Sequence, residues 1–211
     1  MLKRTDPRVR KRCREVHGDD WYAVDKRKRQ DEAIAYLAAT SPASPVAMGE
    51  SALRAAVVAS ATDYTIAALR PIANASMRKC YDALKGRLHD GSERAFLFHG
   101  TSSDVATKIA KDGFNRSYCG KHGTVFGKGV YFARDIRYSL QATYSPTDAK
   151  GMQHVIAARV LVGNAALGDS TMLEPPSGHD STVNSTTDPS IFVVYKDYQA
   201  LPEFELVLKK A

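Results

Sequence analysis

The sequence of 211 residues is 44% hydrophobic, enough for one well-packed domain with an appendage, and this composition excludes disorder throughout. No apolar run reaches about eighteen residues and no secretory signal opens the chain, so we expect neither a membrane span nor export. Three cysteines, Cys13, Cys80 and Cys119, suit neither a disulfide framework nor a zinc site. The sequence therefore predicts an intracellular protein, nuclear or cytoplasmic.

The net charge of +7 is concentrated near the N-terminus. Residues 1–30 contain 11 Lys and Arg against 5 Asp and Glu, a net charge of +6 that leaves +1 for the other 181 residues. These residues lack apolar periodicity, which favours a solvated arm; a nuclear address or a phosphate-binding tail is the alternative. We therefore divide the chain into an arm and linker at 1–50 and a domain at 51–211, and we expect any nucleic-acid partner at residues 1–30.

Regular structure is predicted from the end of the arm onward. Residues 31–40 suit a short helix, and Pro and Ser at 41–45 then mark a linker. The Ala-rich stretch 51–60 suits a helix and 64–69 a strand, and Asn74 can cap a further helix. The apolar positions of that helix follow helical spacing and predict a buried face, with Cys80 as a small buried side chain: Met77, Cys80, Tyr81, Leu84 and Leu88.

Two short apolar runs each break on a polar residue, and we expect both residues to face one cleft. The first run is a strand ending at His99, and the second presents Tyr131 after two glycines that allow a close backbone approach. A helix is predicted between them from Ser102 or Ser103 to Gly113, with apolar positions Val105, Ile109 and Ala110 and an irregular loop at 115–128 after it.

Strands dominate the rest of the chain. After a helix over 134–144, we expect a buried strand at 155–162, a long loop at 163–189, and strands at 191–195 and 204–208. Helices are few after residue 95, so the sequence predicts an α+β fold with a mainly antiparallel sheet.

Seven short stretches stand in order along the second half of the sequence. They are residues 97–101, 113–117, 127–133, 138–139 with 144–145, 159–163, 175–176 and 190–195. Together they resemble the catalytic domain of the poly(ADP-ribose) polymerase superfamily, in its mono-ADP-ribosyltransferase branch with diphtheria-toxin-like architecture. One stretch alone would carry little weight, whereas seven in order make coincidence improbable. The resemblance implies the ADP-ribosyltransferase fold, a mainly antiparallel split β-sheet flanked by short helices.

The resemblance also implies that NAD is the co-substrate, without a metal, and that NAD is cleaved at its nicotinamide–ribose bond. By resemblance, the backbone of Gly100 and the hydroxyl of Ser139 bind the nicotinamide carboxamide. The aromatic faces of Tyr131 and Tyr144 would enclose the nicotinamide ring as flat apolar walls. His99 would bind a hydroxyl of the adenosine ribose, which is a positioning role and requires no general base.

The resemblance also implies which residues cover the bound NAD and which residue determines the length of the product. Thr101 belongs to the same implied NAD site, and residues 120–126 match the donor loop that covers the dinucleotide. Polymerising members of the family carry a glutamate where this sequence has Ile191, which has neither charge nor hydrogen-bonding atom. Elongation should therefore fail. We predict the catalytic triad His99, Tyr131 and Ile191 and transfer of a single ADP-ribose to a protein acceptor, an acidic side chain that can belong to the protein itself.

One alternative for the third position is rejected, and two alternative functions stay open at this point. Glu203 or Glu205 could be mistaken for the missing glutamate, although the resemblance runs without a gap through 191–201 and favours Ile191. The domain could also be a catalytically weak interaction module that binds NAD or ADP-ribose. Finally, the basic arm lends modest support to ADP-ribosylation of nucleic-acid ends.

Overall fold

The computed structural model describes residues 45–118 and 123–211. The chain forms two compact units, Met1–Ser51 and Ala52–Ala211, and of the first only the residues from 45 onward are described. The predicted division into an arm and a domain stays a prediction. Several expectations lie outside the described residues: the arm at 1–30, the helix at 31–40, most of the linker at 41–45 and part of the donor loop at 120–126.

Four helices and eight strands occur in the described residues. The helices are α1 (Pro45–Ser60), α2 (Ala75–Lys85), α3 (Ser103–Asp112) and α4 (Ile136–Ser139), and a 3₁₀ turn occupies Arg116–Tyr118. The strands are β1 (Tyr64–Pro71), β2 (Glu93–Thr101), β3 (Val130–Ala133), β4 (Met152–Leu161), β5 (Ala165–Leu167), β6 (Ser181–Val183), β7 (Ile191–Val194) and β8 (Ala200–Lys210). None of the four described helices combines the length and the apolar character that a membrane span requires.

The strands form one sheet in the order β1-β8-β4-β2-β3-β7-β6-β5, and each neighbouring pair is antiparallel except β5 and β6. This confirms the predicted α+β class and the mainly antiparallel sheet. The sheet is also split in its middle, because β2 pairs with β4 along most of its length but with β3 only at Phe98 and Ala133. Two halves therefore meet at a narrow seam between β2 and β3.

Helix α1 begins six residues before the predicted start at residue 51. Pro45 is its first residue, and proline is favoured at this position because the first N–H groups of a helix have no intrahelical partner. Leu53 and Val57 lie one turn apart, are fully or almost fully buried, and pack in the core of the β1–β8–β4–β2 half. The proline that we expected to end a linker therefore starts a helix.

Helix α2 confirms the predicted cap and corrects one predicted core residue. The side chain of Asn74 accepts a hydrogen bond of 3.0 Å from the backbone N–H of Met77. Met77 and Tyr81 are buried, as their spacing of four residues predicts. Cys80 is exposed, so the prediction of a small buried side chain there is wrong. It lies about 100° around the helix from Tyr81, off the face that packs on the sheet.

Two further expectations were wrong in extent. The predicted helix at 134–144 is only the four residues of α4, which the Asp135 side chain caps by accepting a hydrogen bond of 2.8 Å from Arg137 N–H. In α3, Ala106 joins Ile109 as a buried residue, whereas the predicted positions Val105 and Ala110 are only half-buried. Helix α4 ends at Ser139, and the rest of the predicted helix, up to residue 144, forms turns.

The long loop expected at 163–189 contains the strands β5 and β6, which the sequence did not predict. Each strand has three residues, too few for a recognisable alternation. The segment is ordered by Asp180, a fully buried residue whose carboxylate accepts hydrogen bonds of 3.0, 3.0 and 3.1 Å from the N–H groups of His89, Asp90 and Asn164. A buried carboxylate therefore holds two distant loops together.

Candidate active site

His99 joins the two halves of the sheet at the seam. Its Nδ1 lies 2.8 Å from the carbonyl oxygen of Tyr131, next to the single registered pair of Phe98 and Ala133. A carbonyl can only accept, so Nδ1 carries the proton and, in the neutral ring, Nε2 carries the lone pair. The ring also contacts the Phe114 ring edge-on at a centroid distance of 5.3 Å. The structure thus brings together the two residues that we predicted to face one cleft.

The phenol of Tyr131 is tied to the end of the donor loop. Its hydroxyl accepts a hydrogen bond of 2.8 Å from Phe126 N–H and donates one of 2.9 Å to the carbonyl of Gly127. Gly127 has a φ of +121°, and a Cβ there would stand 1.8 Å from the hydroxyl of Tyr195. Only glycine fits this conformation and this space. Strand β3 therefore fixes the path of the chain that precedes it.

Gly100, Ser139 and Tyr144 also lie together. A Cβ built on Gly100 would stand 2.1 Å from the carbonyl oxygen of Ser139 and 2.9 Å from the Cβ of Tyr144. Ser139 is 3% exposed, and among the described residues its hydroxyl has no hydrogen-bond partner. A buried hydroxyl without a partner costs roughly 1–3 kcal/mol, so this group is suited to bind a ligand. Thr101, the last residue of β2, is buried as well.

Ile191 lies close to Tyr131 in the same half of the sheet, on the strand β7 that pairs with β3. It is 5% exposed, pairs with Ala133 across β3 and β7, and belongs to an apolar cluster against which Tyr131 packs. The side-chain oxygen of Asn184 accepts hydrogen bonds of 2.9 Å from the N–H groups of both Ser190 and Ile191. The backbone at this position is therefore fixed by Asn184 and β3, and the side chain offers carbon atoms alone.

The two glutamates considered as alternatives lie elsewhere in the sheet. Glu203 and Glu205 are on β8, which β4 separates from the His99 strand. Glu203 forms ion pairs of 3.0 Å with Arg78 and 3.1 Å with Arg159. Neither glutamate therefore lies on a strand next to that of His99, and Ile191 as the third member of the triad stays a prediction.

Arg116 is a candidate site residue that sequence reasoning missed. Its Nε donates a hydrogen bond of 3.0 Å to the carbonyl of Lys128, and its terminal nitrogens donate to the carbonyls of Tyr195 and Leu173. The guanidinium carbon lies 5.5 Å from the centre of the Tyr195 ring. One side chain thus connects the two ends of the irregular loop predicted at 115–128 with each other and with the 163–189 segment. No local pattern reveals such long-range bonds.

Tyr138 is the second residue that sequence reasoning missed. Its ring stacks on the Tyr144 ring with a centroid distance of 5.1 Å and an interplanar angle of 22°. The two hydroxyls are 2.9 Å apart. Burial, the hydrogen bond to Tyr144 and the nearby phenols of Tyr144 and Tyr131 raise the pKa of Tyr138 to about 12. Three phenols therefore gather beside the seam.

No cluster of His, Cys, Asp or Glu suited to hold a metal ion occurs in the described part of the chain.

Comparison with known proteins identifies the family. Residues 50–187, more than half of the chain, match the model of the poly(ADP-ribose) polymerase catalytic domain. The chain is 38% identical over 141 residues to human protein mono-ADP-ribosyltransferase PARP14, an alignment that covers 63% of this chain and 8% of that protein. It is 42% identical over 120 residues to mouse protein mono-ADP-ribosyltransferase PARP10, covering 54% of this chain and 12% of that protein.

A third relative shows the same pattern. Human protein mono-ADP-ribosyltransferase PARP12 is 35% identical over 153 residues, which cover 67% of this chain and 21% of that protein. The chain thus spans less than a quarter of the length of these relatives. The match with the family model over residues 50–187 confirms the resemblance seen in the sequence motifs. The chain belongs to the poly(ADP-ribose) polymerase catalytic domain family.

Proposed function

We propose that this domain is an NAD-dependent mono-ADP-ribosyltransferase, which moves a single ADP-ribose from NAD to a protein acceptor and releases nicotinamide. The observation that carries the proposal is the constellation at the seam. His99 and Tyr131 are joined by a hydrogen bond of 2.8 Å, and Ile191 lies in the apolar cluster against which Tyr131 packs. Three relatives named as protein mono-ADP-ribosyltransferases support the same reaction.

The residues at the seam would position NAD. The backbone of Gly100 and the hydroxyl of Ser139 would hold the nicotinamide carboxamide, and Tyr131 and Tyr144 would provide flat apolar walls for the ring. Because Nδ1 of His99 donates to Tyr131, Nε2 is the nitrogen that would accept a hydrogen bond from a ribose hydroxyl. Such positioning supplies a large part of the rate when a reaction needs two molecules in one orientation.

The reaction breaks the bond between ribose C1′ and the nicotinamide nitrogen. Nicotinamide leaves as a neutral base with the bonding electron pair, so positive charge develops on the ribose. An acceptor carboxylate then forms the new bond to C1′ with an oxygen lone pair and has no proton to lose. An acidic side chain can therefore react without a base from the enzyme, and we propose such side chains, including those of the protein itself, as acceptors.

Elongation makes a different demand on the same site. The acceptor is then a ribose hydroxyl, which is neutral and must be oriented and lose its proton. The side chain of Ile191 has no atom that accepts a hydrogen bond, so it can do neither. Hydrogen bonds to charged groups contribute roughly 1.5–3 kcal/mol, or about tenfold to a hundredfold in rate if the transition state uses them fully. We therefore propose that the product carries one ADP-ribose at each modified side chain.

Mass spectrometry of peptides from the protein after incubation with NAD tests this proposal, because the intact mass rises equally for one chain of ADP-ribose and for single units at several side chains. We expect adducts of single ADP-ribose units, and a rate about tenfold lower for His99→Ala. Thr65→Ala, an exposed change on the far edge strand β1, is the matched control and should leave the rate unchanged. Nicotinamide binding without any transfer would favour the interaction module instead. Long chains that Glu203→Gln abolishes would show that the product assignment is wrong.

Ile191→Glu tests the third position in the opposite direction. The variant gains a carboxylate, but an acceptor ADP-ribose must also bind in the right orientation. We therefore expect that single units still dominate the product. Long chains formed efficiently by Ile191→Glu alone would show that the side chain at 191 is sufficient to determine chain length.

The nucleic-acid partner stays a prediction, because residues 1–30 lie outside the described residues. Deletion of these residues should lower transfer to DNA or RNA ends in a salt-dependent way if the arm binds phosphates. An unchanged rate would exclude this role. A nuclear or cytoplasmic location is likewise a proposal, which fluorescence microscopy of the tagged full chain would test.

A further inference from the structure

Tyr138 is attached to the site at two points. Its ring stacks on Tyr144 at a centroid distance of 5.1 Å, and its hydroxyl lies 2.9 Å from the Tyr144 hydroxyl. Tyr138 is 39% exposed and is not among the buried residues of the apolar core. Because Tyr138 lies outside the buried core, its stacking and hydrogen bond act mainly on the orientation of Tyr144 and contribute little to the stability of the fold.

The backbone of the neighbour, Tyr144, is fixed by hydrogen bonds and by packing. The carbonyl of Gln141 accepts hydrogen bonds of 2.9 Å from the N–H groups of both Tyr144 and Ser145. The Tyr144 Cβ packs against Gly100, where an added Cβ would stand 2.9 Å away. These contacts fix where the Tyr144 side chain starts, and the contacts of the side chain itself set the two torsions that orient the ring. Tyr138 opposes rotation about these torsions through both the face and the hydroxyl of the ring.

We propose that Tyr138 is a positioning residue, which holds the Tyr144 ring in the orientation that stacks on nicotinamide and thereby sets the affinity for NAD. This inference rests on the proposed function, since it assigns Tyr144 to the nicotinamide site. Tyr138 itself acts through Tyr144 and needs no contact with NAD. It also explains a pair that helical spacing does not produce, because residues six apart meet only where the chain turns after α4.

Steady-state kinetics of two variants test the role of Tyr138. Tyr138→Leu removes the stacking and the hydroxyl, and we expect the KM for NAD to rise by about twofold to tenfold, the range of an aromatic pair, with kcat changed less. Tyr138→Phe keeps the ring and loses the hydroxyl, so its KM should fall between those of wild type and Tyr138→Leu. The control is Tyr198→Leu, at a tyrosine of similar exposure, 45%, on the turn before β8. A KM for Tyr138→Leu equal to that of wild type would overturn the proposal.

Coupling to Tyr144 separates positioning from a merely structural role. In a Tyr144→Leu background the stacking partner is absent, so Tyr138→Leu should change KM by much less than in wild type. The same fold-change in both backgrounds would overturn the proposal.

Calorimetric titration with nicotinamide distinguishes failure of the proposed function from failure of the role of Tyr138 alone. If wild type neither binds nicotinamide nor transfers ADP-ribose, the proposed function and this inference both fail. If wild type does both and Tyr138→Leu keeps its nicotinamide affinity and KM, only the role of Tyr138 fails. A weaker nicotinamide affinity of Tyr138→Leu, with Tyr198→Leu unchanged, supports the positioning role.

Discussion

The half of the sheet formed by β1, β8, β4 and β2 carries acidic side chains in ion pairs, whereas the half formed by β3, β7, β6 and β5 has an isoleucine beside Tyr131. In the first half, Arg159 bridges Glu93 and Glu203 at distances of 3.2 and 3.1 Å. In the second half, Ile191 lies among apolar neighbours. The carboxylates of the first half are therefore engaged in stabilising the fold, while the position next to the cleft has none.

The hydrogen bonds of Glu93 show how completely these carboxylates are engaged. Lys85 lies 3.0 Å from Glu93, and the Tyr81 hydroxyl donates to it at 2.9 Å. Burial opposes ionisation, but the bonds from Lys85 and Tyr81 and the charge of Arg159 hold the pKa of Glu93 below its ordinary value. Burial and the hydrogen bond to Glu93 in turn raise the pKa of Tyr81. Closeness in sequence to a site residue such as His99 is thus poor evidence that a glutamate is catalytic, because its hydrogen-bond partners can show a structural role instead.

The largest effect is expected from Gly100→Ala at the seam. The new Cβ would clash with the carbonyl of Ser139 at 2.1 Å, and this backbone cannot yield without moving Ser139 and Tyr144. We expect transfer to fall by about a hundredfold, as for a misplacement of about 1 Å in other active sites. Transfer rate and the unfolding midpoint measured together check this, and an active alanine variant would show that the close approach is not required.

Asp180→Asn should act on stability, because Asp180 binds the loop before β2 and the loop after β4. An amide oxygen cannot replace a carboxylate that accepts three backbone hydrogen bonds, so we expect a loss of about 1–3 kcal/mol in the free energy of unfolding at pH 7. Burial opposes ionisation of Asp180, but the backbone hydrogen bonds lower its pKa in the folded protein. Its stabilisation is therefore complete above the unfolded pKa of about 3.9 and is lost as pH falls through the lowered folded value.

Urea unfolding of wild type and Asp180→Asn at several pH values checks this prediction. The difference between the two proteins should shrink as the pH falls below about 4. A difference that is constant with pH would mean that Asp180 acts through packing and not through its charge.

Glu203→Gln should give the smallest effect and defines the contrast between the two halves. It weakens the ion pairs with Arg78 and Arg159, and we expect a loss of about 1 kcal/mol in the free energy of unfolding. Transfer rate and product length should equal those of wild type, since β8 does not adjoin the seam. Thermal unfolding and product mass measured on one preparation test both statements, and altered product length would remove the distinction between the halves.

Local signals made much of this structure predictable. Asn74 caps α2 through a neighbour three residues away, and the strands that end near His99 and present Tyr131 follow from apolar runs that stop at a polar residue. These features depend on residues close in sequence, and the structure has them. The prediction that His99 and Tyr131 face one cleft came from the same two apolar runs, and the order of the motifs then implied NAD as the ligand of that cleft.

The features that were missed depend on distant residues or on very short elements. The bonds of Arg116 reach residues 12, 57 and 79 positions away, and the Tyr138 ring meets Tyr144 only after a turn. Strands β5 and β6 are defined by their partners and by Asp180, and their own sequences show no pattern. Cys80 was assigned to the buried face of α2 because apolar spacing alone does not determine how wide that face is.

The bonds that Asn184 makes at the start of β7 have a consequence for how the sequence of this protein can change. The Asn184 side chain and the β3 partner hold the main chain at 191, and neither contact involves the side chain of that residue. A substitution at residue 191 can therefore change the side chain beside Tyr131 while the backbone of β7 stays in place. Selection on the product of the reaction and selection on the stability of the sheet then act on separate atoms, so one can proceed without the other.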